Sequence, residues 1–285
     1  MTSARILYSD LDGTMVGRGG SFFRGHEFDS TTIRPAEALV ALHQAGVVLS
    51  LVSGRTRAQL QEAARIFGAD GFIAEMGAIV GWDRGRRSTM LAGAAPPEFS
   101  GPLVAQLESV GLVDELLASF EGRLEHHAPW HLGHETDVML HGLVDTDAVN
   151  KWLDDRGFGW LVFVDNGRLS DTVVPGIDER PHIYHLMARG LGKGPAIAVD
   201  LGRRGLTTTD AVAVGDSLSD LEMAPFVSRF FLVRNGAEVP SIREAAEELP
   251  NVTICQEPLG AGWAEAAHFC VESPVDDGAC GRLTR

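Results

Sequence analysis

The chain has 285 residues, room for one large domain or two modest ones, and at 45% hydrophobic and 22% charged it can bury a sizeable core. Its formal net charge of −15 argues against a nucleic-acid or anionic-membrane surface, since those partners demand clustered positive charge. Cys255, Cys270 and Cys280 show no CxxC or Cys/His zinc spacing, MTSARILYSD has no secretory leader pattern, and no apolar run is long enough to span a bilayer; a reduced, cytoplasmic setting without a membrane span is expected.

In chain order, residues 4–9 (ARILYS) read as a buried strand. Residues 35–45 read as a helix with Pro35 in its first turn and Gly46 past its end. VVLSLVS (47–53) is a second strand and TRAQLQEAARIF (56–67) a second helix stopped by Gly68. GFIAEMGAIVGW (71–82) is a third strand, or a hairpin around Gly77. This βαβαβ order implies a parallel sheet of the α/β class, Rossmann-like, with helices on both faces.

The rhythm changes after Trp82. Residues 83–101, rich in Gly, Pro and Arg, read as a connection, and 102–120 as helical. A strand over 134–144, a helix over 146–157 and a hairpin turning at Asn166-Gly167 within 160–174 follow. The parallel rhythm returns with a helix opened by Pro195 (192–205) and an apolar strand running into AVAVGDSLSD (211–220). The expected organisation is therefore an α/β core of residues 1–83 and 187–285 with an inserted α+β module, 84–186; the tail after Glu272 reads as loose.

Three strands end in polar clusters: Asp10-Leu-Asp12-Gly13-Thr14, Ser53-Gly54-Arg55, and Gly215-Asp216-Ser217 with Asp220 beyond. Ligands of open parallel sheets bind outside the carboxyl ends of the strands, so these clusters are expected to meet. Asp10, Asp12 and Asp216 offer hard oxygen ligands whose mutual repulsion a cation would relieve, and Mg²⁺ fits best, completed by waters and a substrate phosphate. Of two aspartates at a strand end, one can attack phosphorus while the other moves a proton. Ser53-Gly54 at a strand-to-helix junction is an anion seat, and Lys193, between Gly192 and Gly194, adds a point charge. Neither a P-loop nor a GxGxxG dinucleotide motif is satisfied around Lys193.

DxDGT, SGR, GKG and GDSxxD, in that order and across essentially the whole chain, resemble the haloacid dehalogenase superfamily. The insertion between SGR and GKG resembles the type IIB cap, and SGRTRAQ with GWAEAA (262–267) leans towards the sucrose-phosphate and mannosyl-3-phosphoglycerate phosphatases. The resemblance implies an Mg²⁺-dependent phosphoric monoester hydrolase acting on a sugar phosphate or similar small phosphomonoester. Asp10 would become an aspartyl phosphate, and Asp12 would protonate the leaving alcohol and then activate water. Asp10, the Asp12 carbonyl and Asp216 would hold the metal; Ser53, Gly54 and Lys193 would hold phosphate; Thr14 would support the site, and Asp220 would support the metal shell or orient Lys193. Arg55 and His131 are candidate substrate contacts.

Two positions depart from the family pattern. Met76 stands where ENGA has Asn, and Ser219 where GDSxND has Asn; neither is the nucleophile or a metal ligand, and both bear on substrate contacts. His126, His127, His131 and His134 read as hydrogen-bonded module residues, as substrate readers or as metal ligands, without an HExxH order. A phosphomutase, which would return the phosphoryl group to another hydroxyl, and a non-catalytic phosphometabolite sensor are the rival functions; a monomer or small homo-oligomer is expected.

Overall fold

The structure, a computed structural model, describes residues 4–25, 30–99, 101–168 and 180–272. Its elements, in chain order, are β1 (Ile6–Asp10), α1 (Arg34–Gln44), β2 (Val48–Val52), α2 (Arg57–Phe67), β3 (Gly71–Ala74), β4 (Ile79–Trp82) and β5 (Arg87–Met90). Then come α3 (Leu103–Ser109), α4 (Leu112–Ser119), β6 (Leu124–His126), β7 (Val138–Gly142), α5 (Thr146–Asp154), β8 (Leu161–Arg168), β9 (His182–Ala188) and α6 (Lys193–Arg204). The chain ends with β10 (Ala211–Gly215), α7 (Leu218–Leu221), β11 (Arg229–Leu232), α8 (Arg234–Ala237), α9 (Pro240–Glu247), β12 (Val252–Ile254) and α10 (Leu259–Glu272). Two compact units result: residues 1–50, 201–216 and 224–285, and residues 51–200 with 217–223.

In the first unit, β12, β11, β10 and β1 lie side by side in that order, all parallel, with Ile6 opposite Ala211 and Ser9 opposite Val214. The start of β2 continues the row, Val48 N–H donating to Arg5 C=O at 2.9 Å. Near-continuous burial of β1 and β10 is the mark of parallel strands covered on both faces. Helix α10 packs against α1, β1 and β10. Gly260 permits the α1 approach, because a Cβ there would stand 2.5 Å from Pro35 Cγ. Trp263, fully buried, donates from Nε1 to Ser9 Oγ at 2.8 Å, one residue before Asp10.

In the second unit, α2 opens with a capping box: Thr56 Oγ1 accepts from Gln59 N–H and the Gln59 side chain from Thr56 N–H. The helix closes on Gly68 in the left-handed conformation. Segment 71–82 forms the hairpin alternative, with β3 and β4 antiparallel around Glu75–Gly77. The stretch 83–101 is more than a connection, because Arg87–Met90 pairs with β4 as β5. The helical stretch expected over 102–120 is two helices, α3 and α4, parted at Gly111 with φ +73°. Asn166-Gly167 does not turn a hairpin; β8 runs through it, with a bulge between Asp165 and Arg168 and Gly167 at φ +98°. A bulge and a type I′ turn demand the same positive φ, so the dipeptide alone does not tell them apart. The tail after Glu272 lies outside the described residues.

The second sheet, β6-β7-β9-β8, is wholly antiparallel. Alternate residues Val138, Leu140, Phe163, Tyr184 and Leu186 share an apolar cluster with α3, α4 and α5. By the period of two, Met139, His141 and His185 point to the opposite face. His127 is buried beside that row, its ring edge-on to His141 at 5.1 Å. Burial first, and then the neighbouring imidazoles, push His127 down to about 4.

Two outcomes follow. Thr56→Ala removes the α2 cap and should cost about 1 kcal/mol in urea unfolding. Above its ordinary 6.5 His127 is neutral folded or unfolded and has no effect on stability; as pH falls from there towards 4 the unfolded chain takes up the proton that burial denies the folded one, and the fold loses stability. The unfolding free energy from urea titration should therefore drop between those values, by up to about 3 kcal/mol, and drop less in His127→Phe.

Candidate active site

β1 delivers Asp10 as its last residue, 5% exposed, and β10 delivers Asp216 one residue past its end. Parallel pairing sets these strand ends side by side, and the carboxylate oxygens lie within 4.8 Å of each other. Thr14, fully buried, donates from Oγ1 to Asp216 Oδ1 at 3.2 Å. Asn235 donates from Nδ2 to Gly13 C=O at 2.8 Å and to Asp216 Oδ2 at 3.4 Å, while its Oδ1 accepts from Leu259 N–H at 2.8 Å. Gly13 is obligatory: its φ is +87°, and a Cβ would stand 2.3 Å from Asp216 Oδ2. Asp12 differs from Asp10, because the strand ends first; it sits exposed in a turn closed by Thr14 N–H and Val16 N–H on Leu11 C=O.

In the second unit, Ser53 follows β2 and is buried, its backbone N–H donating to Ile73 C=O at 2.9 Å and its Oγ accepting from Arg55 N–H at 3.3 Å. Gly54 and Arg55 are half-buried, and Arg55 C=O accepts from Glu75 N–H at 3.1 Å. Lys193, at the start of α6, is 3% exposed and donates from Nζ to Asp220 Oδ1 at 2.6 Å. The other Asp220 oxygen accepts from Ser217 N–H and Oγ, and Ser219 Oγ shares a hydrogen bond with Ser217 Oγ at 2.9 Å. Glu222 also lies against this lysine: loss of solvent raises its carboxyl, and the Lys193 charge opposes that. Gly77, at φ +98°, lets the Glu75–Gly77 turn meet the backbone before Lys193; a Cβ there would stand 2.1 Å from Gly192 C=O.

The histidine-rich segment splits. His126 stacks on half-buried His131 at 4.7 Å, so the two shield each other. His134 joins a buried network instead. Its Nδ1 bonds Asp137 Oδ1 at 2.6 Å, and His185 Nδ1 bonds Asp137 Oδ2. Glu75, fully buried, accepts at Oε2 from Glu135 N–H (2.9 Å), Thr136 N–H (2.7 Å) and Thr136 Oγ1 (2.6 Å). Burial and then the Asp137 charge push the Glu75 carboxyl up, against those hydrogen bonds. Burial alone would raise Asp137 too, but the His185 charge and the two imidazole hydrogen bonds hold it below the usual carboxylate range. Burial would lower His134, yet Asp137 keeps it above its ordinary value. Glu75, His134 and Asp137 bring donor atoms within 4.8 Å of one another, with His134 Nδ1 already engaged by Asp137.

Asn235, Glu222, Asp137 and His185 escape the motif reading. The available signal was the alternation of HIYHLMA (182–188), in which His185 and Met187 share a face opposite Tyr184 and Leu186. The buried thiols of Cys255 and Cys270 are raised to about 12, chiefly by burial, and are inert; Cys280 lies outside the described residues. Among the described residues no helix is long and apolar enough to cross a membrane.

No family model matches the chain. It is 26% identical to a phosphoglycolate phosphatase of Methanopyrus kandleri over 223 residues, covering 77% of this chain and 79% of the relative. In fold it is similar to the sucrose-phosphatase of Synechocystis sp. PCC6803, solved with sucrose and phosphate (TM-score 0.63, 16% identity, 95% and 98% of the two chains). A second structural likeness is to a subclass IIB sugar phosphatase of the haloacid dehalogenase superfamily (TM-score 0.61, 17% identity, 94% and 100% of the two chains). With DxDGT, SGR, GKG and GDSxxD in order on a mostly parallel α/β sheet, the chain has the fold of the type IIB haloacid dehalogenase structures and is similar in sequence to phosphoric monoester hydrolases.

Proposed function

We propose that the chain is an Mg²⁺-dependent phosphatase that hydrolyses a sugar phosphate or similar small phosphomonoester through an aspartyl phosphate. The observation that carries this reading is the pair Asp10 and Asp216, ending neighbouring parallel strands with their oxygens within 4.8 Å. Two carboxylates so placed, with Thr14 and Asn235 orienting one of them, are a hard-oxygen donor set that suits Mg²⁺. Asp10, the Asp12 carbonyl and Asp216 would hold the ion, which when bound neutralises charge on the phosphoryl oxygens.

The chain's own residues do the rest. Asp10 attacks phosphorus, the ester oxygen leaves, and the phosphoryl group stays on the Asp10 carboxylate. Asp12 gives its proton to the departing alkoxide and then takes one from the water that cleaves the aspartyl phosphate. Its exposed turn position suits a group that must exchange protons with solvent. Ser53, the amides of Gly54 and Arg55, and Lys193 hold the phosphoryl oxygens. Asp220 fixes Lys193 through the 2.6 Å contact, so that the cation is aimed rather than mobile. Residues 1–83 and 187–285 act as the catalytic core in this reading, and 84–186 as the cap that reads the leaving group. The enzyme works in the cytoplasm as a monomer or small homo-oligomer, with Arg55 and His131 as candidate substrate contacts.

Phosphate release from a panel of sugar phosphates and phosphoglycolate is the direct test. Asp10→Asn should abolish release while the thermal melt stays near that of the wild type; release at wild-type rate in this variant would sink the aspartyl-phosphate step. EDTA should stop turnover and added Mg²⁺ restore it, whereas turnover indifferent to chelator would remove the metal. Accumulation of an isomer in place of inorganic phosphate would mark a mutase.

A further inference from the structure

His185 takes no part in the four motifs, yet its position is constrained at both ends. Its Nδ1 edge is bound to Asp137, a fully buried carboxylate that also takes the Nδ1 proton of His134. A carboxylate that accepts from Nδ1 leaves Nε2 pointing the other way. On that side, Cε1 and Nε2 lie 3.5 and 3.8 Å from the place a Cβ would occupy on Gly54. Gly54 is the residue after Ser53, in the turn assigned above to the phosphate. Among the described residues, Nε2 also meets the Asn166 amide at 3.5 Å, a long and weak contact.

The imidazole is also fully buried and stands on β9, paired with Met139 of β7 and Val164 of β8. Its orientation is therefore set by two neighbouring strands as well as by Asp137. A side chain positioned so firmly, with its Nε2 edge over the phosphate turn and, among the described residues, held there only by a weak contact, is suited to recognition.

We propose that His185 is a specificity-determining residue whose Nε2 hydrogen-bonds an oxygen of the substrate's leaving group above Gly54, with Asp137 and His134 as its positioning residues. This rests on the phosphatase reading. The phosphoryl oxygens have donors of their own in Ser53, the following amides and Lys193, so a group reaching over Gly54 from the antiparallel sheet meets what hangs from the phosphorus. An incoming oxygen displaces the Asn166 amide. The preferred substrate then carries a hydroxyl or carboxylate close to the ester oxygen, as phosphorylated sugars and short phosphorylated acids do. A leaving group without such an oxygen forgoes the contact.

Two isosteres separate this role from a structural one. The Asn amide overlays Nδ1 and keeps the bond to Asp137 while deleting Nε2; the Gln amide overlays Nε2 and deletes the bond to Asp137. Steady-state phosphate release is measured with phosphoglycolate, glucose 6-phosphate and phenyl phosphate, and each variant's melting temperature is recorded. In His185→Asn, kcat/KM for the better oxygen-bearing substrate relative to phenyl phosphate should fall about tenfold, mostly through KM, with the melt near wild type. His185→Gln should keep more of that preference and lose more thermal stability. The reverse order, with Asn harmless and Gln damaging to both, would make His185 structural and overturn the assignment. An unchanged preference in both variants would overturn it too. A wild type that releases phosphate from none of the three would overturn the phosphatase reading itself, a different failure from either of these.

Discussion

Two carboxylates at the ends of neighbouring parallel strands repel each other, and much of the first unit is built to hold them there. Asp10 and Asp216 come within 4.8 Å because β1 and β10 are paired in register, and the chain cannot relax that approach without breaking the ladder. The surroundings absorb the strain by placing donors: Thr14 on one Asp216 oxygen and Asn235 on the other, with Asn235 also tying down Gly13. Trp263 reaches through the core to Ser9 and steadies the strand just before Asp10. A charged pair that costs folding energy is the usual mark of a site kept for chemistry.

The second unit shows the same economy with different groups. Asp137 is fully buried and stays ionised because two imidazoles donate to it; Glu75 is as deep and accepts three hydrogen bonds from residues 135–136. Buried charges without such partners would cost several kcal/mol each. The network links the Glu75–Gly77 turn to the loop ahead of β7, and that turn lies against the backbone that starts at Gly192 and bears Lys193. Lys193 is itself clasped by Asp220, so the cation assigned to phosphate and the imidazole assigned to the leaving group are each fixed by a buried carboxylate.

The candidate site residues could be picked out from the chain because each motif marks a strand end, where backbone direction alone dictates what emerges. Asp10, Ser53 and Asp216 fall where the apolar runs stop, and Thr56 with Gly68 marks both ends of α2. Residues that act through long-range contacts were not legible. Asn235 meets Gly13 across 222 positions and stands in no local pattern, and His185 meets Asp137 across 48, where the strand alternation of 182–188 gives its face but not its partner. The histidines of 126–134 drew notice by their density, but only His134 enters the network, while His126 and His131 stack on each other. Asn166-Gly167 misled for a local reason, since one positive φ serves a bulge as well as a turn.

The amino-acid sequence by itself determined the class of fold, the order of the four motifs and the chemistry their side chains can offer, because these follow from apolar periodicity and from residue types at strand ends. Only tertiary structure decided that β5 exists, that Asp10 is buried while Asp12 is exposed, and that His185 stands over Gly54 on the support of Asp137. The physical reason is the range of the forces. Periodicity and turn chemistry act within a few residues, whereas burial, cross-strand register and the sharing of a proton between buried groups depend on segments brought together only by the folded chain.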